Sequence, residues 1–155
     1  MKISPPLRVL AALAVVGLTL QGCSTTGEYD LSGPRGEVVK TALAQVGTPY
    51  RLGGNSPREG LDCSGLTRYA HQAAGLEIPR RAVDQRDKAR PVTGHKPGPG
   101  DLVFFHIPPG GDHVGVMVDR ERFVHASTSK GQVRLSRLDA QYWQEHYMGA
   151  GTYLQ

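Results

Sequence analysis

The chain is poor in the residues that usually announce a function. Its 155 residues include two cysteines, one tryptophan and 6 % aromatics. No CxxC pair and no HExxH run occurs, so the usual ligand spacings of structural and catalytic zinc are missing. No basic run interleaved with aromatics occurs either, which argues against nucleic acid as a partner. No internal repeat is visible. The main apolar run, Val9 to Leu20, is broken only by Thr19 and is too short to span a bilayer as a stable helix.

What is present begins with that run. Lys2 and Arg8 make a positive start, the apolar stretch follows, and small Gly22 precedes Cys23, so residues 1–22 read as a secretory signal peptide. Leu20-Gln21-Gly22-Cys23 resembles the bacterial lipobox, which implies that Cys23 is lipidated and becomes the new N-terminus. Ser24 in the second mature position implies, by the same resemblance, the periplasmic side of the outer membrane of a Gram-negative cell. Residues 23–34 then form the lipidated N-terminus and a tether. Residues 24–34 lack periodicity and reach about 35–40 Å at roughly 3.4 Å per residue. Without Lys2 and Arg8 the formal charge of +4 drops by two, so the surface is only mildly basic. That suits an anionic polymer and ordinary solubility equally. With Cys23 acylated, Cys63 is the one remaining thiol, and an unpaired cysteine in an exported chain is either a buried structural group or a reactive one.

Residues 35–155 make one domain of modest core. Val39, Ala42, Leu43 and Val46 recur at helical spacing, predicting a helix over 36–46 with Pro34 near its start and Gly47 past its end. Residues 47–61 are a Gly- and Pro-rich loop. A second helix over 63–74 carries Leu66, Tyr69, Ala70 and Ala73 as its apolar stripe, with Asp62 as N-cap and Gly75 as stop. A short helix over 82–88 follows. The period then changes: 101–106 reads as a buried strand, 114–118 and 122–127 as a hairpin, and 132–138 and 147–153 as later strands. Helices first and strands afterwards indicate an α+β domain with an antiparallel sheet.

Cys63 falls in the first turn of the second helix. Backbone N–H groups and the helix dipole there are expected to stabilise a thiolate, lower the thiol pKa and offer a site for an oxyanion. A nucleophile of this kind needs a base and the base needs an orienter. Of six histidines, His71, His95, His106 and His146 read as surface residues. His113 and His125 bracket the predicted hairpin. If its loop is Asp119 to Glu121, Val118 faces Arg122 and His125 becomes the diagonal neighbour of His113 on one face of the sheet, close enough for the two rings to bond. A two-residue turn would put the rings on opposite faces.

The ordered motifs Gly47-Thr-Pro-Tyr50-Arg-Leu-Gly-Gly54, Asp62-Cys63-Ser64-Gly65, Pro79-Arg80, Pro97-Gly-Pro-Gly100-Asp-Leu-Val-Phe-Phe105, His113-Val-Gly115 and Phe123-Val-His125-Ala126 resemble the NlpC/P60 superfamily of papain-like cell-wall peptidases over about residues 36–153. The resemblance implies a papain-like α+β fold, N-terminal helices packed on a central antiparallel sheet. It implies Cys63 as nucleophile, His113 as base and His125 as orienter. It places Tyr50 beside the site and Asp62, Ser64 and Arg80 near bound substrate, with Gln85 also near the groove. No cofactor or metal is implied; the partners are peptidoglycan peptides and, through the lipid anchor, a membrane, and the protein is taken as a monomer. Short lipoprotein members resemble murein endopeptidases that cut the cross-link between D-alanine and diaminopimelate. Three rival readings stay open: a zinc site on Cys63, His113, His125 and Asp112, a non-enzymatic wall-binding lipoprotein, and an acyltransferase on the same fold.

Overall fold

The computed structural model describes residues 31–155. The signal peptide, Cys23 and nearly all of the tether lie outside the described residues. In chain order the elements are α1 (Gly33–Ala44), β1 (Asn55–Ser56), β2 (Gly60–Leu61), α2 (Cys63–Ala73), α3 (Ala82–Lys88), β3 (Arg90–Pro91), β4 (Leu102–Ile107), β5 (Gly111–Met117), β6 (Arg122–Ser127), β7 (Gln132–Arg137), α4 (Gln141–His146) and β8 (Tyr147–Thr152).

Six strands form one antiparallel sheet in the order β3-β8-β4-β5-β6-β7. Alternation along each strand sorts the side chains onto two faces. Leu102, Phe104, Val114, Val116, Val124 and Ala126 pack under the helices, while Val103, Phe105, Met117 and Phe123 form a second, smaller core closed by Trp143 of α4. The fold is therefore α+β with its leading helices on one face of the sheet, as the order of elements implied. β1, β2, β3 and α4 have no counterpart in the expectations: the strands are two residues each, and α4 carries no apolar period.

Two helical stripes differ from expectation. On α1 the buried side chains are Val38, Val39 and Ala42, while Leu43 and Val46 stand 42 % and 49 % exposed. The helix stops at Ala44 because the chain leaves to pair with β7: Gly47 N–H donates to Val133 O, Val133 N–H to Thr48 O, and Tyr50 N–H to Gly131 O. That short ladder covers the β7 edge and delivers Tyr50 to the cleft described below. On α2 the buried line is Leu66, Thr67, Ala70 and His71, with Ala73 exposed. His71 is thus a core residue, not a surface one: its Nδ1 lies 2.8 Å from Thr67 O and its ring meets Tyr153 edge-on at 6.0 Å. Asp62 caps α2 by accepting from Gly65 N–H at 2.7 Å. A Cβ on Gly65 would collide with the Gly54 carbonyl, so glycine at this position lets the Gly-rich loop close over the head of the helix.

Candidate active site

The head of α2 meets the sheet where β5 and β6 part. Val118 N–H donates to Arg122 O, so the even-numbered residues of β5 aim their amides at β6. The ladder continues to Val116 opposite Val124 and then ends. The next rung would use Val114, but its N–H faces the Cys63 sulfur instead, together with the N–H groups of Ser64 and Cys63 itself. Three backbone donors thus converge on one partly exposed thiol at a helix N-terminus, a geometry suited to an oxyanion as well as a thiolate.

The electrostatics correct one expectation. Burial pushes the Cys63 thiol above its ordinary pKa and the neighbouring Asp62 carboxylate adds to the rise; the three backbone donors oppose both without prevailing. Burial also pulls His113 down to about 4. At neutral pH the resting pair is a thiol beside a neutral imidazole, not a thiolate–imidazolium pair. Iodoacetamide should therefore alkylate Cys63 more slowly at pH 7 than it alkylates a free cysteine, with the rate climbing only in alkaline buffer. Mass-spectrometric time courses across pH measure this, and a rate plateau already reached at pH 6 would contradict it.

The expected hairpin register is present: Met117 faces Phe123 and Val116 faces Val124. His113 and His125 consequently share a face, with His113 Nε2 3.0 Å from His125 Nδ1. His125 is 4 % exposed, and its Nε2 lies 2.9 Å from Ser136 Oγ. One proton arrangement leaves a free lone pair at His113 Nδ1: Nε2–H of His113 donates to His125, whose Nε2–H donates to Ser136. Trp143 stacks on His113 at 5.8 Å and 19° and meets His125 edge-on at 4.7 Å, which fixes both ring planes. Ser136 and Trp143 are absent from the sequence reading. Ser136 follows from the register of the second hairpin, in which His125 faces Arg134 and Ser136 is the diagonal neighbour; Trp143 sits on a helix too short to leave a periodic signal.

Cys63, His113, His125 and Tyr50 line one cleft of about 780 Å³. The Tyr50 hydroxyl is held above its ordinary pKa by burial, with the Cys63 and Asp62 charges adding to the rise. Asp62, Ser64 and Arg80 line the same cleft but are bound to one another. The Arg80 guanidinium reaches Asp62 Oδ2 at 2.7 Å, Asp62 Oδ1 at 3.0 Å and Ser64 Oγ at 2.8 Å. Gly65 and Gly53 N–H groups take the remaining carboxylate sites. Gln85, expected near the groove, is fully buried beneath it, joining Thr67 Oγ1, Ser64 O and Pro79 O. It ties the head of α2 to α3.

Asp112, a ligand in the zinc reading, lies on the opposite face of β5 from His113 and pairs with Arg86 at 3.3 Å and His106 at 3.6 Å. Among the described residues no cluster of three metal-ligating side chains occurs, and no helix is long and apolar enough to cross a membrane. His95 and His106 are exposed as expected, and His146 bonds Tyr142 O within α4.

His71, His113 and His125 share a consequence for stability. Burial brings each below the ordinary 6.5, to about 4, about 4 and about 3. Because the folded values are depressed, the unfolded chain takes up these protons first. The contribution is complete above pH 6.5 and drains as pH falls towards 4, by about 3 kcal/mol for His71 alone. Urea midpoints measured from pH 7 to 4.5 should fall, and His71→Leu should flatten the curve. An unchanged slope in that variant would place the acid lability elsewhere.

The family model for the NlpC/P60 family matches residues 47–152. The murein DD-endopeptidase MepH of Escherichia coli is 42 % identical over 114 residues, covering 70 % of this chain and 42 % of that protein. The murein DD-endopeptidase MepS/murein LD-carboxypeptidase of Escherichia coli is 40 % identical over 102 residues, covering 65 % and 53 %. The chain thus spans about half the length of these curated relatives. Among solved structures, an NLP/P60-family protein similar to lipoprotein from Staphylococcus aureus superposes with a TM-score of 0.70 at 33 % identity, covering 79 % of this chain and 42 % of that one. The peptidoglycan hydrolase RipB of Mycobacterium tuberculosis superposes with a TM-score of 0.67 at 30 % identity, covering 79 % and 65 %.

Proposed function

The chain belongs to the NlpC/P60 family, and from that premise we propose that it is a peptidoglycan endopeptidase using Cys63 as nucleophile, His113 as general base and His125, backed by Ser136, as orienter. The observation that carries the reading is the relay itself. A thiol surrounded by three backbone donors shares a cleft with an imidazole that has two further hydrogen-bonding groups in line behind it.

The chemistry starts from neutral partners. As the Cys63 sulfur attacks the scissile carbonyl carbon, its proton passes to His113 Nδ1. The carbonyl oxygen gains the negative charge and the backbone donors around Cys63 hold it. His113 returns the proton to the leaving amine nitrogen as the C–N bond breaks, leaving a thioester on Cys63. Water then attacks the thioester, giving its proton to His113, and the carboxylate product leaves with the thiol restored. No cofactor enters any step. The cleft walls carry Arg81 and the hydroxyls of Ser127, Thr128 and Ser129, which favours a peptide over the long acyl chain an acyltransferase would need. The favoured target is the cross-link between D-alanine and diaminopimelate.

The test is digestion of purified, cross-linked peptidoglycan by the domain, with products read by mass spectrometry. Conversion of cross-linked dimers to monomers supports cross-link cutting. New dipeptide stems would keep the mechanism and move the cut to the D-glutamate–diaminopimelate bond. No product from sacculi or soluble muropeptides would favour a wall-binding lipoprotein without catalysis. The accompanying reading, lipidation of Cys23 and residence on the periplasmic side of the outer membrane, is tested by labelled-palmitate incorporation into the whole chain and its loss in Cys23→Ala.

A further inference from the structure

To pass from β7 to β8 the chain must cross the sheet, because β6, β5 and β4 lie between them in the strand order. The leading helices cover one face, so α4 makes the crossing over the other, the face that carries His113 and His125. Four rings stand there in a closed circuit. His113 meets His125 at 5.1 Å, His125 meets Phe123 at 5.2 Å, Phe123 meets Phe105 at 5.3 Å and Phe105 meets His113 at 6.3 Å. Register makes the circuit: Phe105 is the direct cross-strand partner of His113, and Phe123 and His125 are two residues apart on β6. Trp143 touches all four rings, at 4.7 Å from Phe105, 4.9 Å from Phe123, 4.7 Å from His125 and 5.8 Å from His113. The two phenylalanines belong to the sealed core, whereas the two histidines line the cleft, as Trp143 also does. The indole thus sits where the core ends and the relay begins.

Water competes for the donor and the acceptor of a hydrogen bond between two imidazoles, and the bond is strongest where water is kept out. We propose that Trp143 is a positioning residue for the reaction: its indole keeps water from the 3.0 Å His113–His125 hydrogen bond and leaves the His113 ring one orientation, with Nδ1 free for the Cys63 proton. The inference rests on the wall-peptidase reading and adds to it a residue outside the cysteine and its two histidines. Burial is the first cause of the low values of His113, about 4, and His125, about 3, and the indole supplies part of that burial. The other titratable groups around the pair come from different elements. Cys63 of α2 shares the cleft, Arg134 of β7 bears on the His125 ring and Tyr147 of β8 meets Phe105. His106 and Asp112 lie on the opposite face of β4 and β5. On α4 itself, Glu145 is bonded by Gln141 and His146 is turned back on Tyr142 O. Among these groups α4 therefore acts on the relay through an apolar ring and not through a charge.

The experiment titrates the histidine ring resonances by NMR without substrate, in the wild type, Trp143→Phe, Trp143→Leu and Trp143→Ala. It sets them beside kcat and KM on cross-linked muropeptides across the same pH range. Trp143→Ala is expected to raise the His113 and His125 midpoints by about one to two pH units towards the ordinary 6.5. It should lower kcat at neutral pH by about 10–30-fold with KM within about twofold, and the acid limb of kcat should move up with the His113 midpoint. Trp143→Phe puts a ring back over the pair and should recover most of both effects. Trp143→Leu keeps apolar bulk above Phe105 and Phe123, so it should hold the fold even where alanine does not, yet recover less of kcat than phenylalanine. A purely structural role would lower the melting temperature while leaving the midpoints and kcat of the folded variants unchanged, and that result would overturn this inference alone. So would a raised KM with kcat intact, which would make Trp143 a substrate contact. No muropeptide cleavage by a wild type whose midpoints are still low would overturn the peptidase reading and this inference with it.

Discussion

Replacing Cys63 with alanine is expected to lower wall-peptide cleavage by about 10⁴-fold or more while leaving the fold in place. The large effect follows from the reaction, in which the sulfur forms the covalent bond that splits one hard step into two. The small effect on folding follows from position. Cys63 is only partly buried at the end of α2, whose start is fixed by the Asp62 cap and whose body is held by Leu66, Thr67, Ala70 and His71. Cys63→Ser should be nearly as inactive as the alanine variant. A hydroxyl gives up its proton far less readily than a thiol, and a base with a pKa of about 4 is too weak to take it. Product chromatography on dimeric muropeptides, with thermal melting as the control, checks both variants. An alanine variant that keeps even one per cent of the activity would take the nucleophile's role away from Cys63.

The sequence made the scaffold legible where its signal is local. The N-cap at Asp62, the short helix over 82–88 and the strand over 122–127 stand where expected. The hairpin loop at Asp119 to Glu121 sufficed to bring His113 and His125 together, because a period of two makes the shared face a matter of counting. Whatever depends on contacts distant in sequence was hidden. Leu43 and Val46 looked like core because the pattern could not show that the chain leaves α1 at Ala44 to pair with β7. His71 looked like surface because its partners, Thr67 and Tyr153, define a pocket that only the packed domain has. The thiol pKa was misjudged for the same reason: a helix N-terminus is visible in sequence, whereas the burial that outweighs it is tertiary. Trp143 is the clearest case, a lone aromatic on a six-residue helix that stacks on the base itself.

His113→Ala should cost about 10³–10⁴-fold in kcat/KM, the upper part of what a positioned general base supplies. The relay behind it should then grade. His125 never touches the reacting atoms; it selects the His113 tautomer through the 3.0 Å contact, so His125→Ala is expected to lose about 10–100-fold, mostly in kcat. Asparagine at the same position keeps an acceptor for His113 Nε2–H and should recover part of that loss. Ser136→Ala, one contact farther out, should lose only a few-fold. The pH profile separates this arrangement from a pre-formed ion pair. With His113 titrating near 4, kcat/KM should stay level from neutral pH down to about 5. Below 4 it should fall about tenfold per pH unit, since a protonated imidazole has no lone pair to offer. The buried histidines lose stability over the same acid range, so initial rates have to be taken at a temperature where each variant is still folded. An acid limb near the ordinary histidine value in the folded wild type would mean that the imidazole is solvated in the working enzyme.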